Sequence, residues 1–300
     1  MKMKLSLRLQ ALVSFADPCR CLADIGTDHG YVPIQMLKTG KASAALACDV
    51  RPGPLERARK NVEEAALSDR IKTRLGSGLE VLEPGEADEI VIAGMGGLLI
   101  REILEKGRPV LEACEKLILS PHTDADIVRE FLCETGFFLT DEAMVKEDEK
   151  FYVFLKAEKR SRKRGKVSAV SAGNPGDDAA QANEARGAEE GSREEKETED
   201  TGEIRPGGKE EKRPDKESEA ERPILTEKEK LFGPVLLKKR PDVFLEYIRK
   251  EKEKEERRLS EIRKALASGK TSGGRSGKTA EALCEKEKRL SMLREILEGR

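Results

Sequence analysis

The sequence has no tryptophan, only three tyrosines and only two histidines, and aromatic residues make up 4% of its 300 positions. Its six cysteines lack the paired C-x-x-C spacing of zinc sites and redox centres, so we expect free thiols in a reducing compartment. No apolar run is long enough to span a bilayer, and no signal-peptide pattern is present. These absences predict a cytoplasmic protein that neither binds a metal nor enters a membrane.

The chain also lacks an excess of one charge, since 57 basic side chains nearly balance 58 acidic ones. The charges are distributed unevenly, because residues 225–300 carry about 21 basic against about 14 acidic side chains. That region is the expected footprint for a nucleic acid. Residues 160–224 have almost no apolar side chains and cannot bury enough surface to offset the entropy of ordering. We therefore predict a disordered polar linker there.

In the first half, short apolar runs alternate with amphipathic stretches. Strands are predicted at "CLADIG", "SAALACDV", "RIKTRLG", "ADEIVIAG" and "KLILSP". Such a succession predicts an α/β fold, with a mostly parallel sheet covered by helices on both faces. Residues 137–159 show two extended runs around a charged turn, which predicts an antiparallel hairpin at the end of the sheet. Residues 1–159 are therefore expected to form one domain.

Beyond the polar linker the pattern becomes helical from about Thr226, with breaks near Gly233 and Pro241. Apolar residues at helical spacing predict an antiparallel coiled-coil hairpin over residues 225–300. The expected seam places Phe244, Ile248, Leu259, Ile262 and Leu266 opposite Leu283, Leu290, Leu293 and Leu297.

Glycine-rich or polar loops follow each predicted strand of the parallel sheet. The first, in "LADIGTDHGYVP", is a strand-to-helix turn whose free N–H groups favour a polar or anionic ligand. Asp49 lies about twenty residues beyond it, where a carboxylate can bind a ribose diol. The remaining loops are Gly76–Gly78, Gly94–Gly97 and Ser120–His122. Because these loops meet at one edge of the sheet, the sequence predicts a site for a nucleotide-bearing ligand.

Two cofactors compete for such a site. NAD prefers a glycine at the second position of G-x-G-x-x-G, and Asp28 occupies that place. A carboxylate repels a pyrophosphate but attracts a sulfonium and an ammonium group. An NAD-dependent oxidoreductase stays an alternative, and so does a non-catalytic RNA-binding module.

The chain resembles the bacterial tRNA (adenine-22 N1) methyltransferase family. The resemblance rests on "LSLRLQ", "ADIGTDHGYVP", "GPLERARKNV", "GLEVL", "ADEIVIAGMGG" and "LILSPH", and it resumes at "LFGPVLLKKRPDVFLEYI". It implies a Rossmann-like class I methyltransferase sheet, S-adenosylmethionine as cofactor and tRNA as substrate. The chain departs from the family pattern at Ser77, where an Asp is usual, and at His122, where an Asn is usual.

This assignment leads to a set of expected site residues. Those expected to bind the cofactor are Asp24, Gly26, Thr27, Asp28, His29, Gly30, Asp49, Val50, Ser77, Gly78, Gly94 and Met95. Those expected to act on the adenine are Asp28, Met95, Gly96 and His122. Tyr31, Lys238, Lys239, Arg240, Arg257, Arg258 and Lys264 are expected to contact the tRNA. Position 22 comes from the resemblance alone, and we expect a monomer.

Overall fold

The apolar runs of the first half form a seven-stranded sheet in a computed structural model that describes residues 5–159, 223–267 and 276–299. The strands are β1 (Cys19–Ile25), β2 (Ala42–Asp49), β3 (Ile71–Leu75), β4 (Glu89–Met95), β5 (Lys116–Pro121), β6 (Phe137–Glu147) and β7 (Lys150–Lys159). Their order is β3-β2-β1-β4-β5-β7-β6, and β7 is antiparallel to both of its neighbours. The predicted mostly parallel sheet with an antiparallel hairpin is confirmed.

Helices follow or precede the strands as the alternation predicts. They are α1 (Leu7–Phe15), α2 (Tyr31–Lys38), α3 (Pro52–Glu64), α4 (Gly97–Lys106), α5 (Arg108–Ala113), α6 (Ala125–Glu134), α7 (Glu227–Phe232), α8 (Pro234–Lys239), α9 (Asp242–Ala267) and α10 (Ser276–Glu298). Nearly all of the predicted polar linker, residues 160–222, lies outside the described residues. No described helix is long and apolar enough to cross a membrane.

The central strands are apolar on both sides because each face of the sheet has its own core. Ala23 and Ile92 belong to one apolar cluster, whereas Leu22, Val91 and Ile118 belong to the other. Strands buried on both faces read as continuous apolar runs rather than alternating ones. This is why β1, β4 and β5 could be located from the sequence.

The first helix, α1, is a finding that the sequence pattern does not predict. The Ser6 hydroxyl caps it by accepting a hydrogen bond from the backbone N–H of Leu9 at 3.3 Å. Leu12 and Val13 are buried in the core of one sheet face. Apolar residues lie on most sides of this nine-residue helix, so no amphipathic stripe marks it.

The C-terminal helices confirm the predicted helical hairpin. Phe244, Ile248 and Leu259 of α9 are buried, as are Leu290 and Leu293 of α10. The predicted position of the final seam residue is shifted by one, because Ile296 is 1% exposed while Leu297 is only half-buried. Ile262 is also only half-buried, and Leu266 is 36% exposed.

A buried ion pair joins the C-terminal helices to the sheet. The Nε of Arg129 lies 2.8 Å from Oε1 of Glu142, and the two residues are 2% and 1% exposed. Arg129 also donates to the backbone carbonyl of Lys230 at 2.8 Å, at the end of α7. Glu142 accepts from the backbone N–H groups of Val235 and Leu236 at the start of α8. Each charge thus faces the end of a helix that carries the opposite partial charge.

Glu89 provides a test of this core through pH. It is 0% exposed at the start of β4, and burial, with the nearby Asp17 charge, raises its pKa to about 7. Below the pKa of the unfolded state, both states hold the proton and the folded protein has its full stability. As the pH rises through the higher folded-state pKa, this contribution to the free energy of unfolding is lost, because the unfolded state gives up its proton first. We expect the free energy of unfolding of Glu89→Gln, relative to wild type, to increase by about 2–3 kcal/mol between about pH 5 and pH 8.

Urea denaturation at both pH values measures this difference. The exposed Glu64 offers a matched control, since Glu64→Gln should leave the difference between the two pH values unchanged. If the free energies of unfolding of Glu89→Gln and wild type changed by the same amount between the two pH values, the prediction would be contradicted.

Candidate active site

The turn between β1 and α2 is held against the neighbouring strands. The backbone N–H groups of Gly26 and Thr27 both donate to the carbonyl of Cys48 at 2.8 Å. Gly26 has a φ of 79°, and a Cβ there would lie 2.0 Å from the terminal methyl of Met95. The glycine therefore allows the loop after β4 to reach over the first turn. Burial raises the pKa of Asp24 beneath this turn to about 6.

Asp49 ends β2 with its carboxylate almost buried. The residue is 5% exposed, and its Oδ1 accepts a hydrogen bond from the backbone N–H of Arg51 at 2.7 Å. The side chain of Arg51 reaches the same oxygen from 3.5 Å. This arrangement fixes the carboxylate at the rim of a cavity and leaves Oδ2 available to a ligand.

The loops after the strands enclose a space of about 470 Å³, which we call the main cavity. Of the residues predicted for the site, it is lined by Gly26, Asp28, Asp49, Val50, Ser77, Gly78, Gly94, Met95 and His122. Nine predicted residues from five separate loops are thus brought together at the carboxyl ends of the strands, as an α/β sheet requires. Leu99 and Ile103 of α4 supply an apolar wall that the sequence analysis did not include.

A second space, of about 300 Å³, shares Arg8, Gly26, Asp28 and Ala93 with the main cavity, and we call it the inner cavity. Asp24, His29 and Tyr31 line it. His29 and Tyr31 stack with ring centroids 5.1 Å apart and planes at 15°. One face of Tyr31 is therefore already covered by a neighbouring ring.

Asp28 is an acidic residue that lines both cavities. Its side chain is 58% exposed, and its Oδ1 accepts a hydrogen bond from Nη2 of Arg57 at 2.9 Å. The Nε2 of His29 lies 3.6 Å from the same oxygen. Arg57 and His29 thus both approach Oδ1 of Asp28 and hold the side chain in place.

His122 is held by Arg8, a residue that the sequence analysis did not select. The Nη1 of Arg8 lies 3.1 Å from Nε2 of His122. A guanidinium can only donate, so Nε2 accepts and the ring proton is on Nδ1. Burial, with the positive charge of Arg8, lowers the pKa of His122. The Arg8 guanidinium also lies over the Tyr152 ring, 5.1 Å from its centroid.

Three of the residues predicted to bind the cofactor or to act on the adenine line neither cavity. Thr27 is 1% exposed and lies within the turn. Gly30 packs against α3, where a Cβ would be 3.3 Å from that of Ala58. Gly96 is the N-cap of α4. These residues shape the loops and do not face the open space.

The six cations predicted to contact tRNA are in different environments. Lys238 and Lys264 are exposed, and no partner is seen for either of them within the described part of the chain. Lys239 pairs with Asp141, and Arg240 donates to the carbonyl of Ile296 at 2.6 Å. On α9, Arg257 lies 3.9 Å from Glu253 and Arg258 lies 3.1 Å from Glu255. The cavities do not include any of these six residues.

The sequence analysis missed Arg8 and Arg51 for different reasons. Arg8 belongs to "LSLRLQ", which entered only as part of the family resemblance, and its role depends on α1 lying across the sheet edge. Arg51 lies two residues after Asp49, and a cation so close to a proposed ribose ligand was a signal that could have been used. Within residues 5–159, 223–267 and 276–299, no group of three His, Cys, Asp or Glu residues could hold a metal ion.

Comparisons with known proteins agree with this geometry. Residues 5–155 match a family model described as a methyltransferase domain. A tRNA (adenine(22)-N(1))-methyltransferase of Bacillus subtilis (strain 168) is 44% identical over 157 residues, which are 52% of this chain and 66% of the relative. The chain thus matches slightly less than two thirds of the length of that curated relative.

Solved structures match over nearly the whole chain. The crystal structure of the B. subtilis M1A22 tRNA methyltransferase TrmK has a TM-score of 0.70 and 29% identity, and 99% of this chain and 100% of that one are covered. A putative tRNA (m1A22) methyltransferase of Streptococcus pneumoniae, in complex with S-adenosyl-L-methionine, has a TM-score of 0.67 and 27% identity, with 98% and 100% covered. The predicted resemblance and fold class are confirmed.

Proposed function

Because the chain belongs to the methyltransferase domain family, we propose that it transfers a methyl group from S-adenosylmethionine to N1 of adenine 22 in tRNA. The observation that carries the proposal is the main cavity, which unites the Gly26 turn, Asp49, Ser77 and the Gly94 loop. The B. subtilis relative, which bears this activity in its name, supports the choice of adenine N1.

The residues of the main cavity fit the cofactor. Asp49 presents a fixed, nearly buried carboxylate to a ribose diol. Val50 and Leu99 are exposed aliphatic side chains at the cavity, suited to the faces of an adenine ring. Asp28 offers negative charge to an ammonium or sulfonium centre. Ser77 can accept a hydrogen bond from the adenine amino group through its hydroxyl.

The cofactor would supply a methyl group on a positively charged sulfur. Neutral adenine has a lone pair on N1, so the protein need not remove a proton before attack. Its residues act by aligning the two centres and by stabilising the cationic base that forms. We propose Asp28 and the backbone of the loop at Gly94, which line the main cavity, as acceptors for the adenine amino group. With its Nε2 bonded to Arg8, His122 presents the Nδ1 proton as a donor.

The target base must leave its helix to reach this cavity, because N1 lies inside a Watson–Crick pair. We propose that residues 225–300 form the tRNA-binding part and residues 1–159 the catalytic part. Lys238, Lys239, Arg240, Arg257, Arg258 and Lys264 are the proposed phosphate contacts, with Tyr31 near the base. A monomer acting in the cytoplasm accords with such a role.

The test is methyl transfer to RNA. Purified full-length protein, bulk tRNA and labelled S-adenosylmethionine should yield labelled 1-methyladenosine, and mapping should place it at position 22. Binding of tRNA without transfer would support a non-catalytic module, and binding of NAD in place of S-adenosylmethionine would support an oxidoreductase.

Asp49 gives a specific prediction for the cofactor site. Asp49→Ala should weaken S-adenosylmethionine binding by about 1.5–3 kcal/mol, the range for losing hydrogen bonds to a charged group. Calorimetric titration measures the affinity. The exposed Asp69 is a matched control, since Asp69→Ala removes the same group outside the cavity. Equal affinities for the two variants would remove Asp49 from the site.

A further inference from the structure

A third cavity, of about 240 Å³, lies between the β6–β7 hairpin, the start of α6 and the C-terminal helices, and we call it the side cavity. Pro121 and His122 form part of its wall, and His122 also lines the main cavity. The loop that follows β5 therefore faces both spaces.

The walls of the side cavity are aromatic where the catalytic part meets the C-terminal helices. Phe151 of β7 and Tyr247 of α9 meet edge to face, with ring centroids 5.5 Å apart and planes at 62°. Phe232 lies under the guanidinium of Arg289, which is 5.4 Å from the ring centroid. Burial raises the pKa of Tyr247, so its phenol is uncharged near neutral pH. Phe232 is 1% exposed, and Lys250 lies over Phe151 with its Nζ 5.3 Å from the ring centroid. The part of the half-buried Phe151 ring that lines the cavity is the surface on which a base can stack.

The acidic groups of the side cavity are acceptors of hydrogen bonds. Asp126, in the first turn of α6, has no hydrogen bond or ion pair to any residue that the structure describes. Asp124 accepts from the Thr123 hydroxyl at 2.7 Å. The positive charge of Arg289 is already directed at acidic residues of α9, with its Nε 3.6 Å from Glu255. The available group is a carboxylate, which repels phosphate and favours a neutral ligand with N–H donors.

We propose that the side cavity binds an unpaired base with an exocyclic amine, one that neighbours the methylated adenine in the tRNA. The inference rests on the proposed function. When the target adenine leaves its helix, each adjacent base loses a stacking partner, at a cost of a few kcal/mol. Phe151 supplies a replacement surface for one of these bases, and Asp126 accepts a hydrogen bond from its amine. The contact stabilises the extruded state and orients the RNA across the active site.

Single abasic sites in the tRNA test this proposal. We would measure kcat/KM for intact tRNA and for tRNAs that lack one base on either side of the target, with wild type and with Phe151→Leu/Asp126→Leu. In the wild type, loss of the bound base should lower kcat/KM about tenfold, since a stacked base contributes substantially to affinity. In the variant the same abasic site should change kcat/KM less than about twofold. Equal losses for both proteins at every abasic position would overturn the proposal.

Controls separate this inference from the function on which it rests. Phe15→Leu replaces another half-buried aromatic residue outside the side cavity and should respond to abasic sites as the wild type does. If the double variant unfolds, Asp126→Leu alone removes the acceptor at similar side-chain size and should still reduce the abasic effect by about threefold. A wild type that methylates no tRNA overturns both proposals. An active wild type whose losses match those of the variants overturns this one alone.

Discussion

Replacing Arg129 with methionine is expected to lower the free energy of unfolding by about 3–5 kcal/mol, because it leaves a buried carboxylate without its partner. Glu142 is 1% exposed and would keep only the N–H groups at the start of α8 as donors. The carbonyl of Lys230 would lose its donor as well. Two helices of the C-terminal part depend on this one pair, so the loss extends beyond the ion pair itself.

Denaturant unfolding of the full chain measures the effect, and two variants make it specific. Arg129→Met/Glu142→Leu removes both charges, and we expect it to recover about half of the loss, since the buried unpaired charge is gone. Arg101→Met breaks the exposed pair with Glu105 on α4 and should cost less than about 1 kcal/mol. A single Arg129→Met variant as stable as Arg101→Met would show that the buried pair does not join the two parts.

The strands and their alternation with helices could be predicted because burial on both faces of the sheet leaves continuous apolar runs in the sequence. The central parts of β1, β4 and β5, residues 21–23, 90–93 and 117–119, are continuous apolar runs without a polar side chain. The candidate site was predictable for a related reason. Parallel strands bring their following loops to one edge, so Gly26 and Asp49 could be placed together without knowing the strand order.

Features that depend on distant contacts could not be read from the sequence in the same way. Glu142 directly follows another acidic residue, Asp141, in the sequence, and nothing local distinguishes the carboxylate that will face a helix end. Arg8 gains its position only when α1 packs across the sheet and meets His122. The shift from Leu297 to Ile296 at the end of the seam depends on how α10 meets α8 and the β6–β7 hairpin.

The buried pair also determines how tRNA binding can be tested. Removal of residues 160–300 would strip Arg129 and Glu142 of their helix-end partners and expose Met144 and Val153, which pack against the apolar cluster of the C-terminal helices. A truncated protein could then lose activity through unfolding alone. Lys239 and Arg240 have a similar drawback, since both hold contacts within the fold. Exposed cations with few contacts of their own are better probes.

We expect Lys238→Glu/Arg257→Glu/Lys264→Glu to weaken tRNA binding roughly 100-fold at about 0.1 M salt, because each lost phosphate contact forgoes the release of condensed counterions. The slope of log Kd against log salt should become shallower by about 2 to 3, close to one for each contact. Affinity for S-adenosylmethionine should not change, because none of the three residues lines the main cavity. Filter binding across a salt series measures both the affinity and the slope.

The matched control makes the same charge change on the catalytic part. Lys38, Lys60 and Lys72 are exposed on α2, α3 and β3, and their replacement by Glu alters the net charge equally. A general electrostatic effect would weaken binding to the same degree in both triple variants, whereas a defined tRNA footprint on residues 225–300 changes the salt slope only in the first. If the slope of the first variant stays at the wild-type value while its fold and cofactor affinity are intact, these residues of the C-terminal helices do not carry the phosphate contacts, and another part of the chain holds the RNA.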